Sequence, residues 1–205
     1  MRQLIDLANA VTLVGLVAAS ACAMLAISNL IPYALVALMI SGVCDLFDGV
    51  LARRCHRSQT QVEFGGRLDT IVDVCSFGFA PMVLMYSAGL NGIWEIPLLV
   101  FFVVCVVWRL AFFDVVGLQS VGKRQYFIGL PVTYVAMFLP LAFLAGFWGQ
   151  VYLRGCVAIT TFGLAIAMIS TVRIRKPSGV FYIVFPVAGL VLMFVFITFG
   201  HRYLP

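Results

Sequence analysis

The chain has 205 residues, 63% of them hydrophobic and only 10% charged, with a formal net charge of +5. Soluble domains carry about a quarter charged residues, so this composition, with a mean hydropathy of +1.11, excludes an ordinary soluble domain and points to an integral membrane protein. The apolar runs approach the roughly 20 residues needed to cross a bilayer as helix and lack the period-two alternation of barrel strands. The expected fold class is therefore an all-α polytopic helical bundle, one membrane domain over 1–205.

In chain order, residues 1–7 form a short interfacial lead-in. The first span, near 8–28, is too long for the apolar region of a signal peptide and ends without a small-residue cleavage pattern, so it is expected to stay in the membrane. Asn29 and Pro32 break the chain before a second span near 31–52. A third follows near 67–88 and is closed by Gly89, Asn91 and Gly92; a fourth lies near 95–116, with polar residues after it over 117–124. The fifth, near 129–148, ends at 146–150; the sixth, near 152–172, ends at 176–179; the seventh lies near 180–200. There is no internal repeat. The six cysteines (Cys22, Cys44, Cys55, Cys75, Cys105, Cys156) are scattered without metal-site spacing and read as small buried residues.

The basic residues orient these spans. With the loop between spans two and three in the cytoplasm, Arg2, Arg53, Arg54, Arg57, Arg67, Lys123, Arg124, Arg173, Arg175 and Lys176 all fall on that side. Only Arg154 and Arg202 fall outside, and Arg109 lies within a span. That asymmetry predicts a cytoplasmic N-terminus. The positive charge then faces anionic lipid, and no nucleic-acid partner is needed to explain it.

Four of the eight acidic residues crowd two helix ends. Asp45 and Asp48, three apart, share a face at the cytoplasmic end of span two. Asp69 and Asp73, four apart, share a face at the start of span three. An antiparallel helix pair brings the two faces together. Charges within a span are costly and mark functional sites, and four carboxylates in one space are reasonable only around something cationic, partly Arg53 and Arg67 or else Mg²⁺ or Mn²⁺. Gly49, Ala52, Gly65 and Gly66 beside them leave room for a ligand or let helices approach closely.

The run Asp45, Asp48, Gly49, Ala52, Arg53, then Gly65, Asp69, Asp73 resembles the signature of the CDP-alcohol phosphotransferases, membrane enzymes that move a phosphatidyl or similar group from a CDP-linked lipid to a hydroxyl. Residues 54–64 form a longer link between the halves than the family usually has, and a lone His56 within it reads as solvated. Asn9 and Thr12 resemble the opening of the family's first span. Ser76 to Pro81, Arg109 to Ala111, Phe127 to Pro131, and Ser170 to Arg173 resemble its phosphatidylserine synthase branch. The fourth-span motif departs from that branch in reading Phe112, Phe113, Asp114, which raises the prospect of a different, cationic acceptor.

The resemblance implies a two-metal site of Mg²⁺ or Mn²⁺ held by Asp45, Asp48, Asp69 and Asp73, with Asp73 as the catalytic base. It implies a donor site for CDP-diacylglycerol, or an archaeal-type CDP-lipid, formed by Asn9, Thr12, Gly49, Ala52, Arg53 and Gly65, and an acceptor site involving Arg109, Arg173 and Arg175. The expected reaction is phosphatidyl transfer to a small alcohol, L-serine first, with release of CMP, by a homodimer in the cell (inner) membrane with its site facing the cytoplasm. Choline, glycerol phosphate and inositol phosphate are rival acceptors. A cation transporter is the rival from outside the enzymes, disfavoured because the acids cluster at one membrane face and not at mid-span.

Overall fold

The computed structural model describes residues 6–55, 57–117, 119–121, 124–175 and 181–204. Arg2, His56, Lys123, Lys176, the break at 177–179 and most of the expected lead-in lie outside these residues, as do the side chains of Arg124 and Arg175.

The first helix, α1 (Leu7–Ile27), starts where the Asp6 carboxylate accepts the Asn9 amide at 2.8 Å, satisfying one of the free N–H groups of the first turn. It lies along α2 (Ile31–Arg54) for much of its length. The turn between them places Asn29 at φ 58°, and Pro32 falls in the first turn of α2, where its missing N–H costs nothing. Next come α3 (Gln59–Asp73), a π-helical turn (Val74–Phe79) and α4 (Ala80–Ser87), one rod of 29 residues from Gln59 to Ser87. This rod begins well before the expected 67. Ser58 and Gln61 form a reciprocal capping box that starts the helix inside the link read as loop.

The fourth span is α5 (Glu95–Val116), at its expected bounds. The fifth is a 3₁₀ turn (Val132–Tyr134), α6 (Val135–Phe143), which carries Pro140 within it, and a second 3₁₀ turn (Leu144–Trp148). It is followed by α7 (Gln150–Ile169) and α8 (Phe181–Tyr203). Six of these rods are long and apolar enough to cross a membrane, and Val132–Trp148 is a shorter apolar seventh. Large apolar side chains such as Val17, Val104, Trp108, Ile159 and Phe194 are exposed along them, the mark of a surface facing lipid. The chain is an integral membrane protein with an all-α polytopic bundle.

One element has no precedent in the sequence reading. The strands β1 (Gln119–Val121), β2 (Arg124–Ile128) and β3 (Arg173–Arg175) form an antiparallel sheet in the order β1-β2-β3. Ile128 pairs with Arg173, and the Gly129 and Leu130 amides donate to Val172 at 2.8 Å and Ala167 at 3.0 Å. This pairing is why the fifth span starts after 129 and the sixth stops before 172. Gly129 sits at φ +75°, and a Cβ there would strike the carbonyl oxygen of Met168. Only glycine lets the strand turn into the fifth span so close to α7.

Candidate active site

Asp45 and Asp48 lie toward the C-terminal end of α2, and Asp69 and Asp73 in the last turns of α3, just before the π-helical turn. There Asp45, Asp48 and Asp69 each present a carboxylate oxygen within 4.8 Å of the others. Asp73 joins them through a carboxyl within hydrogen-bonding reach of Asp45. The four acids wall a narrow recess completed by Thr12, Gly15, Ser41, Val72, Ser76 and Phe77. Asp48 and Asp73 are 6% and 8% exposed, so the recess opens mainly past the other two.

Other helices fix the carboxylates in place. The Thr12 hydroxyl of α1 lies 2.6 Å from Asp48 Oδ2, which accepts from it. The Thr133 hydroxyl, at the start of the fifth span, donates to Asp45 Oδ2 at 2.9 Å. That reach depends on how closely the fifth span approaches α2. Gly42, three residues before Asp45, faces Ala136, three after Thr133, and a Cβ on Gly42 would stand only 2.5 Å from the Ala136 Cβ. A glycine opposite an alanine brings the backbones together and sets the Thr133 to Asp45 distance.

The donor set is four carboxylates and nearby hydroxyls, hard oxygen ligands of the kind that suit Mg²⁺ or Mn²⁺. Among the described residues, neither ion pair involves any of the four acids. Like charges this close repel strongly in a low dielectric, so the recess calls for more positive charge than the ion pairs of the described residues bring to it. The residues present fit divalent metal ions.

Above the acids, Arg57 ties three segments together. Its Nε donates to Asp6 Oδ2 at 2.6 Å, and one terminal nitrogen donates to Asn9 Oδ1 at 2.8 Å and to the Gln61 carbonyl at 3.1 Å. The guanidinium and the Asn9 amide take up the space over Gly65, where an added Cβ would collide with both. Gly49 and Ala52 are half-buried on α2, and exposed Arg53 folds back so that Nη1 would lie 3.6 Å from a Cβ on Gly49. The sequence reading did not single out Asp6 or Thr133, and it assigned no role to Arg57. The local signals that mark this corner are Asp6 and Asn9 at N-cap spacing and the Ser58 and Gln61 capping box.

Arg109 is 4% exposed, donates Nε–H to the Leu130 carbonyl at 3.1 Å and lies over the Phe113 ring at 5.3 Å from its centroid. Among the described residues no carboxylate pairs with it. Asp114, on the same helix, accepts from the Thr70 hydroxyl at 3.0 Å, next to Asp69. Arg173 is exposed on β3, and Arg175 lies on the same strand opposite Tyr126. A larger apolar groove between α2, the fifth span and α8 is lined by Met39, Leu46, Met137, Phe185 and Pro186 and reaches Asp45 and Thr133 at its polar end.

The sequence profile of a family described as CDP-alcohol phosphatidyltransferase matches residues 5–199, nearly the whole chain. The chain is 31% identical over 191 residues to a CDP-diacylglycerol–serine O-phosphatidyltransferase of Methanocaldococcus jannaschii, covering 92% of this chain and 83% of that protein. It is 38% identical over 112 residues to the protein of the same description from Saccharomyces cerevisiae, covering 51% of this chain and 40% of the relative. An archaetidylserine synthase of Methanothermobacter thermautotrophicus is 29% identical over 160 residues, 76% of this chain and 64% of the relative. The chain thus spans less than two thirds of the length of the last two.

Proposed function

The chain belongs to the CDP-alcohol phosphatidyltransferase family, and from that premise we propose that it transfers a phosphatidyl group from CDP-diacylglycerol to the hydroxyl of L-serine, releasing CMP. The observation that carries this reading is the recess in which Asp45, Asp48 and Asp69 converge with Asp73, with no ion pair to any of them among the described residues.

In this reading the four aspartates hold two Mg²⁺ or Mn²⁺ ions. Held there, such ions would supply Lewis-acid polarisation of the phosphoryl group and neutralise charge as CMP leaves. The chain's own groups do the rest. Thr12 and Thr133 keep Asp48 and Asp45 turned into the recess, so little reorganisation is needed during the reaction. Asp73 takes the proton from the acceptor hydroxyl as the new oxygen–phosphorus bond forms and the bond to CMP breaks, with no covalent enzyme intermediate. The apolar groove, whose polar end is Asp45 and Thr133, receives the donor's tails from the bilayer. Asn9, Thr12, Gly49, Ala52, Arg53 and Gly65 surround the nucleotide end. Arg109, held by Leu130 and unpaired with any described carboxylate, grips the acceptor's carboxylate, and Arg173 and Arg175 add positive charge at the same membrane face. The acid face lies toward the cytoplasm, and the working unit is a homodimer.

The relatives named as serine transferases, and Arg109 itself, favour serine over choline, which has no carboxylate. The test is a radiolabelled assay of the purified chain with CDP-diacylglycerol, Mn²⁺ or Mg²⁺, and a panel of alcohols. Phosphatidylserine formation that stops with EDTA and returns with added metal is the expected result. Turnover insensitive to EDTA sinks the metal reading, and preference for another alcohol sinks the acceptor assignment.

A further inference from the structure

Ser41 and Ser76 are each 1% exposed, and neither hydroxyl has a hydrogen-bond partner among the described residues. A buried hydroxyl left unsatisfied is costly, and native interiors seldom leave one so. Helical serines and threonines usually turn back onto a carbonyl one turn earlier. Ser20, Ser28, Thr70 and Thr161 do so in this chain. Ser41 and Ser76 are as buried as Thr161, or nearly so, yet do not.

The two serines belong to different helices but line the same acid recess. Ser41 lies four residues before Asp45 on α2, and Ser76 three after Asp73 in the π-helical turn, so each shares a face with an acid of the cluster. Because α2 and the third rod run in opposite directions, both serines sit one turn deeper in the membrane than the acids. Gly15 of α1 closes the recess beside them; a Cβ there would lie 3.8 Å from Ser41 Oγ. The free space of the whole recess, acids and serines together, is about that of one water.

We propose that Ser41 and Ser76 form the floor of the acid site and hold between them one ordered water that hydrogen-bonds to Asp45 and Asp73. The donors and acceptors balance: the water accepts from two hydroxyls and donates to two carboxylates, using all four of its positions. The serines are positioning residues. Through the water they fix how two carboxylates face the metal, as partners behind metal ligands commonly do. This inference rests on the metal reading above.

The experiment uses the full chain in detergent and Mn²⁺ alone as probe, with free Mn²⁺ followed by electron paramagnetic resonance and folding checked by circular dichroism. Ser41→Ala and Ser76→Ala should each weaken Mn²⁺ binding about tenfold, the lower end of the effect seen for groups behind metal ligands. The double variant should be little weaker than either single one, because both hydroxyls serve one water. Ser76→Cys, close in size but a poor donor, should lose affinity similarly and stands in if the alanine variant does not fold. Wild-type affinity in the folded variants overturns the inference and leaves the metal reading intact. Losses that multiply in the double variant overturn the shared water. A wild-type chain that binds no Mn²⁺ overturns both readings.

Discussion

Exchanging one carboxylate oxygen for an amide nitrogen at Asp73 changes little in volume but removes a negative charge from the middle of the recess. Asp73→Asn is expected to lower turnover by about 10²–10⁴-fold, the usual share of a general base, with the circular dichroism spectrum unchanged. Asp69→Asn, at a metal ligand without the base role, should weaken both Mn²⁺ binding and turnover. Arg109 allows a different test. A hydrogen bond to a charged group contributes about 1.5–3 kcal/mol, so Arg109→Ala should raise the KM for serine about 10- to 100-fold while leaving the KM for the CDP-lipid near its starting value. Arg109→Lys should not restore it, because an ammonium lacks the planar fork that matches a carboxylate. An unchanged serine KM in either variant removes Arg109 from the acceptor site. The residues that stand around the acids were only partly legible in the sequence. The aspartates show themselves by three- and four-residue spacing, which fixes a helix face wherever the helix lies. Thr133 is 88 residues from Asp45, and no local pattern marks that meeting.

Elements decide whether those side chains meet at all. Thr133 reaches Asp45 because Gly42 admits Ala136. Gly42→Val would overfill that contact, at a cost of about 1–3 kcal/mol, and is expected to reduce both thermal stability and Mn²⁺ affinity. Gly42→Ser, with less bulk, should do the same to a smaller extent. A Gly42→Val protein with undiminished metal binding would detach the α2 contact from the site. Gly129→Ala imposes left-handed backbone on alanine and drives its methyl into the Met168 carbonyl. A loss of at least about 1–3 kcal/mol is expected, read as a lower melting temperature. The spans were legible because hydropathy over some 20 residues is a strong signal. The sheet was not, since its strands are short and β3 is separated from β2 by two membrane crossings. Nor was the early start of α3, although Ser58 and Gln61 carry the capping-box pattern; the polar residues between them and the acids masked it.

Across the whole molecule the polar chemistry is segregated by face. The exposed or loop arginines Arg53, Arg54, Arg57, Arg67 and Arg173 share the end that bears the acids, while Arg154, paired with Glu95 at 2.7 Å, and Arg202 lie at the other. The basic residues counted in the sequence divide between the two ends in the same way, and the excess at the acid end supports the proposed cytoplasmic orientation of that end. Single cysteines placed at 53 and at 154 in a chain otherwise without cysteine test it: in intact cells an impermeant maleimide should label the second and spare the first. The reverse pattern would invert the proposed topology. If each of the seven apolar rods among the described residues crosses the bilayer once, Asp6 and Leu204 finish on opposite sides of it. A tether attached beyond Leu204 would therefore hang from the far side of the bilayer, and a surface that captures the protein by that end would hold it with the aspartate mouth turned freely toward the solution.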